Sequence, residues 1–193
     1  MLVAHGHVDH YGGSKLLQDR FGARVAMSAQ DWDLLQSPGS GPNAAARPRR
    51  DLTLMDGEAL RIGDARITPV LIPGHTPGSM GFIFSVRDGA NTHTAALFGG
   101  TMLLPSAPLA QVQQYLRSIE HFREVTRRLG ADVELLNHPL MDDLFVRLET
   151  LKARKPGEAH PLVVGADGYQ RFLTVMYESM KGQLARRGEL QAP

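Results

Sequence analysis

Cysteine is absent from this chain of 193 residues. Its absence removes thiolate nucleophiles, cysteine-type zinc fingers, iron–sulfur clusters and disulfide frameworks, and leaves the redox compartment undefined. Net charge is almost absent too: Lys+Arg 21 against Asp+Glu 20 gives +1. No general field therefore draws the chain to nucleic acid or to an anionic membrane. The basic clusters at 47–50 and at Arg186 and Arg187 read as solvated charge. No apolar run approaches the roughly 18 residues that span a bilayer. Nor does a basic region or extended apolar segment precede His5, so no export signal is read. As written, the chain is expected to stay where it is made; a periplasmic location would require an upstream signal.

The composition is that of an ordinary globular domain, 42% hydrophobic and 21% charged, and a single domain over 1–193 is expected. A chain of this length buries roughly 70% of the surface exposed when unfolded, enough for a core without staples. Periodicity predicts an α/β fold. The end of a strand at 2–4 leads to a helix over 14–21 stopped by Gly22 and a short strand over 23–27. Ser28 and Asp31 resemble a capping box opening a helix to Leu35. The segment 37–50, rich in Pro, Gly and Ala, reads as one mobile loop. Strands follow at 52–54, 59–62, 65–72, 80–86 and 92–98, separated by Asp-Gly or Gly-Asp turns. An amphipathic helix spans 108–129. A strand over 133–136 and helices over 142–154 and 169–186 complete the pattern.

Chemistry concentrates in three places. His5, His7, Asp9 and His10 form HxHxDH just past a strand end. Two residues apart in extended backbone, His5 and His7 project to the same side and can grip one ion. Asp9 and His10 lie beyond a turn and face a second position. The bland alternative, a polar surface loop, suits a lone HxH better than this density. His75 stands between two Pro-Gly corners in PGHTPGS, a stiff loop that loses little entropy on ligation. By itself it would be an ordinary tight hairpin. His138, in Asn137-His138-Pro139, directly follows a buried strand. His93, His121 and His160 have no such setting and read as structural or solvated. Trp32 and the 37–50 loop are candidates to flank the site, or to be plain surface; the apolar stripe of the last helix is expected to pack on the core.

HxHxDH, PGHTPGS, a Gly-Gly strand end and NHP, in that order between residues 3 and about 140, resemble the metallo-β-lactamase fold superfamily. Within it, the likeness is greatest to the third subclass of metallo-β-lactamases and its uncharacterised relatives. The resemblance implies a four-layer αββα sandwich. It also implies two zinc ions, one held by His5, His7 and His75 and the other by Asp9, His10 and His138, with a bridging hydroxide. Asp9 would be catalytic, orienting that nucleophile and passing on its proton. The implied reaction is hydrolysis of an amide or ester of a small anionic substrate, a β-lactam being the first candidate.

Thr101 departs from the wider pattern, which places a bridging aspartate or a cysteine at this strand end. Without that carboxylate the centre would be more positive and more open, suiting a substrate that brings its own carboxylate. A lactonase or thioesterase on the same fold remains an alternative, as does an inactive, metal-binding remnant. Members of the superfamily usually place several strands before the first histidine motif, so an N-terminally truncated domain lacking its early strands, and weakly stable, is expected here.

Overall fold

The fold follows from which faces each strand must bury. A computed structural model describes residues 1–37 and 46–189; the part of the expected mobile loop at 38–45 lies outside the described residues. A small parallel sheet pairs β1 (Ala26–Ser28) with β2 (Leu52–Leu54), and Leu2 bridges to Ala26. The larger sheet runs in the order β3 (Leu60–Ile62), β4 (Ala65–Leu71), β5 (Met80–Asp88), β6 (Asn91–Phe98), β7 (Val133–Leu136). Its first four strands form an antiparallel meander, and β7 joins β6 in parallel. The connection to β7 is helical, as a parallel pairing requires. Six helices complete the described chain: α1 (Val8–Tyr11), α2 (Ser14–Phe21), α3 (Ala29–Gln36), α4 (Leu109–Leu129), α5 (Leu144–Ala153) and α6 (Ala166–Arg186).

Alternation along the strands builds the layers. Val70, Ile83, Ala96 and Phe98 point to one side of the large sheet, where they pack with Val112, Ile119 and Phe122 of α4 and Leu173 of α6. Phe82 and Met80 point to the other side and meet Ala26 and Leu54 of the small sheet. Val25 and Met27, of opposite parity to Ala26, pack against Trp32 and Leu35 of α3. The order is helix, sheet, sheet, helix, the αββα sandwich expected from the motifs.

Most element boundaries agree with the periodicity. The β1 strand is shorter than expected and shifted to Ala26–Ser28, because the backbone of Ala26 is engaged by Leu2 and Leu52. The last helix begins at Ala166, earlier than expected, after Gly165 at φ 75°. Trp32 packs with Val25, Met27 and Leu35. It is buried, and its indole N–H donates to the carbonyl of Leu52 at 2.8 Å. The apolar stripe of α6 does pack on the core, through Tyr169, Leu173 and Leu184.

Candidate metal centre

Three chain segments that are far apart in sequence meet at one end of the sandwich. His5 leaves the small sheet, His75 sits in the β4–β5 connection, and the Gly-Gly pair follows β6. His75 Nε2 lies 3.1 Å from His5 Nε2 and 3.1 Å from His7 Nδ1. A tetrahedral ion with Zn–N bonds of about 2.0–2.1 Å would set its ligand atoms about 3.3 Å apart, close to this spacing.

The tautomers follow from the neighbours. His5 Nδ1 bonds the carbonyl of Gly99 at 2.7 Å, and His75 Nδ1 bonds that of Met102. Each Nδ1 therefore carries the proton, which leaves both Nε2 atoms as bare lone pairs turned towards one another. Burial holds these rings neutral: it pushes His5 down to about 2 and lowers His75. Converging neutral lone pairs repel unless a cation lies between them, so the donor set fits a metal ion.

A second group adjoins the first, with the rings of His5 and His10 3.9 Å apart between centroids. Asp9 Oδ2 lies 3.3 Å from His10 Nε2 and 3.8 Å from His138 Nε2. The expected turn is in fact a single helical turn, α1, which carries Asp9 and His10. Burial lowers the pKa of His10, and its Nε2 is buried without a hydrogen-bond partner. This group is more open than the first: the side chains of Asp9 and His138 are 57% and 42% exposed, against 1% for His5. All six residues expected from the motifs thus fall into two groups of three, each able to present one ligand atom per residue to an ion.

Thr101 lies at this strand end, and its hydroxyl is buried with no partner. His93, read as structural or solvated, is structural: its Nδ1 bonds Asp132 Oδ2 at 2.6 Å, in a tie between β6 and the start of β7. Periodicity could not see that pair because 39 positions separate the two residues.

Residues that hold the loops were largely invisible to motif reading. Asp31 is fully buried. Its Oδ2 accepts from the Gly6 amide at 2.7 Å and from Thr76 Oγ1 at 2.7 Å, while Oδ1 accepts from the Gly78 amide at 2.8 Å. One half of the expected capping box is present, since Ser28 Oγ accepts from the Asp31 amide at 3.2 Å. The carboxylate, however, ties the HxH segment to the PGHTPGS loop. Gly78 is required there: a Cβ would stand 2.0 Å from Ser28 Oγ. Gly100 is likewise pressed on His75, where an added Cβ would lie 2.6 Å from the histidine Cβ.

Helix α4 supports the same loops from behind. Gln111 donates to the carbonyl of Gly74 at 2.7 Å, Tyr115 to that of Gly100 at 2.6 Å, and Ser118 to that of Pro73 at 2.6 Å. Positions 111, 115 and 118 share a face of the helix. A cavity of about 320 Å³ opens beside His7 and His75, between them and the 102–108 segment.

Comparison with known proteins agrees with this architecture. The family model of the Metallo-beta-lactamase superfamily matches residues 2–94. The FEZ-1 metallo-beta-lactamase from Legionella gormanii superposes with a TM-score of 0.82 at 23% identity, covering 97% of this chain and 74% of its own. BJP-1, a subclass B3 metallo-beta-lactamase of Bradyrhizobium japonicum, gives 0.76 at 23% identity, over 97% and 72%. At such identities the likeness is one of fold. By sequence, a hydroxyacylglutathione hydrolase of Acidiphilium cryptum is 30% identical over 119 residues, 62% of this chain and 44% of that protein. One from Haemophilus influenzae is 31% identical over 107 residues, 52% and 50% of the two chains. The chain spans about half the length of these curated relatives.

Proposed function

We infer that the chain is a member of the metallo-β-lactamase superfamily, whose family model matches residues 2–94, and propose that it is a dinuclear zinc-dependent hydrolase acting on an amide or ester of a small anionic molecule, with β-lactams as first candidates. The observation that carries this reading is the pairing of two three-ligand groups 3.9 Å apart at their nearest rings. His5, His7 and His75 would hold one ion, and Asp9, His10 and His138 the other. Bound there, zinc supplies Lewis acidity to a carbonyl and acidifies water enough to provide a nucleophile near neutral pH.

The residues of the chain do the rest. Asp9, exposed and with its Oδ2 3.3 Å from His10 Nε2 and 3.8 Å from His138 Nε2, takes the proton from the attacking water and passes it to the leaving group. Asp31 and α4 fix the histidine loops, so that little reorganisation is needed as charge develops. Asp9 is the only carboxylate among the six, so two divalent ions leave a net positive centre. That charge favours a substrate with an anionic group of its own.

The sequence relatives named as hydroxyacylglutathione hydrolases favour a second reading, a thioesterase. Turnover of nitrocefin and of a hydroxyacylglutathione thioester, each with and without chelator, decides between them. Chelator-sensitive nitrocefin hydrolysis is expected. Chelator-sensitive cleavage of the thioester alone would establish the second reading, and activity that survives full zinc removal would overturn both.

A further inference from the structure

We infer that the cavity beside His7 and His75 is a preformed subsite for an uncharged, apolar acyl group, so that the substrate is an acid derivative with an apolar acyl half. The inference rests on the proposed hydrolytic reading for its orientation, because it places the reacting carbonyl at the histidines. Its volume, about 320 Å³, lies at the lower end of the range of roughly 300–1,000 Å³ for small-molecule pockets. One aromatic ring on a short linker is the scale it fits.

The chemistry of the walls sets the class. Met102, Leu103, Leu104, Ala107 and Pro108 make the lining apolar. Among the described residues, apart from the two imidazoles, no ionisable side chain lines it. A charged acyl group would therefore shed its water without gaining a counter-ion. Two neutral polar groups remain, the exposed Ser106 hydroxyl and Gln111, whose amide N–H is committed to Gly74 and whose oxygen can still accept.

The wall is held in place from the far end of the chain. Gln183 of α6 donates to the carbonyl of Leu104 at 3.0 Å. Arg187 donates to that of Ala107 at 2.6 Å, and Glu189 holds the same guanidinium at 2.6 Å. A turn closes between Ala107 N–H and the Leu104 carbonyl at 2.9 Å, and Leu103 and Ala107 are themselves buried. These ties make the apolar wall part of the fold, so the ligand need not order a loose segment on binding.

The test measures binding of the acid that hydrolysis would release, independently of turnover. Phenylacetate, acetate and succinate are titrated into the full-length zinc-loaded protein, with methyl NMR of Met102, Leu103, Leu104 and Ala107 as the site readout. Phenylacetate is expected to bind at least tenfold more tightly than acetate or succinate and to shift those methyls. Leu104→Lys and Ser106→Asp, both at exposed positions, are expected to reduce that preference at least threefold. Equal affinity for the three acids, or shifts confined to other methyls, overturns the subsite even if nitrocefin or the thioester is turned over. Preferential phenylacetate binding that shifts these methyls without turnover of either compound leaves the subsite standing and removes the hydrolytic reading.

Discussion

Thr76 donates its hydroxyl to the buried carboxylate of Asp31 at 2.7 Å across 45 positions of sequence. The same carboxylate oxygen takes the Gly6 amide, and its partner takes that of Gly78. One side chain thus fixes the segment with His5 and His7 to the loop with His75. Removing it leaves buried donors without acceptors, each costing about 1–3 kcal/mol. Asp31→Ala is expected to destabilise the protein by more than about 3 kcal/mol, and Asp31→Asn by less, because the amide keeps one acceptor. Both should weaken zinc binding by roughly 10–100-fold, as loss of a supporting contact around a metal site does. Urea titration and competition with a chromophoric chelator check the two effects separately.

The two groups of ligands differ in how firmly they are held. His5 and His75 are each oriented by a backbone carbonyl, whereas Asp9 is exposed and His138 half-buried, with no such bond to either among the described residues. Zinc is therefore expected to bind in two calorimetric steps, the first tighter by at least about tenfold, the size of effect that orienting contacts have on ligands. His138→Ala should abolish only the weaker step. A single step of two equivalent sites would refute this asymmetry.

Burial gives the metal-free protein an acid-sensitive stability. The folded-state pKa of His5 is about 2, and those of His10 and His75 are lowered. In the unfolded chain each titrates near about 6.5, so below that pH the unfolded state binds protons that the folded state refuses. Stability contributed by neutral burial is present above about pH 6.5 and is lost as pH falls towards the folded values, at about 1.4 kcal/mol per pH unit for each differential proton. Urea midpoints of the metal-free protein should fall from pH 7 to pH 5. His5→Gln, which carries no such proton, should show a shallower fall.

Thr101 provides a contrasting substitution. Its hydroxyl is buried but unpartnered, so Thr101→Ala removes no hydrogen bond and should change stability by less than about 1 kcal/mol. Both zinc ions should be retained. Asp9→Asn should lose the second ion and most of the activity, since it removes the only carboxylate of that group. Zinc analysis and thermal melts on the two variants distinguish them; loss of an ion in Thr101→Ala would assign the hydroxyl to the centre.

The layers and the two side-chain clusters that could hold an ion were legible in the sequence because both are written in short-range patterns. Helix α4 is marked by its apolar spacing and closed by Gly130 in the left-handed region, and the Asp-Gly and Gly-Asp turns delimit the strands of the meander. HxHxDH brings four candidate ligands within one turn and its approach. What supports them was hidden, for physical reasons that differ from residue to residue. Asp31 occupies the third position of a helix, where an acidic residue ordinarily serves the helix itself. Tyr115 and Ser118 fall within the amphipathic pattern of α4 and look like core and filler, yet their polar atoms reach Gly100 and Pro73. The cavity wall depends on Gln183 and Arg187, some 80 residues away from it, and no local pattern reports a contact at that separation.

The central claim is that six side chains form two adjoining metal sites, and zinc content per chain tests it most directly. Elemental analysis of purified, dialysed protein is expected to give close to two zinc ions in the native chain, close to one in His138→Ala and a large loss in His75→Ala. Zinc near zero on compact native protein, or a content unchanged by both substitutions, would contradict the account.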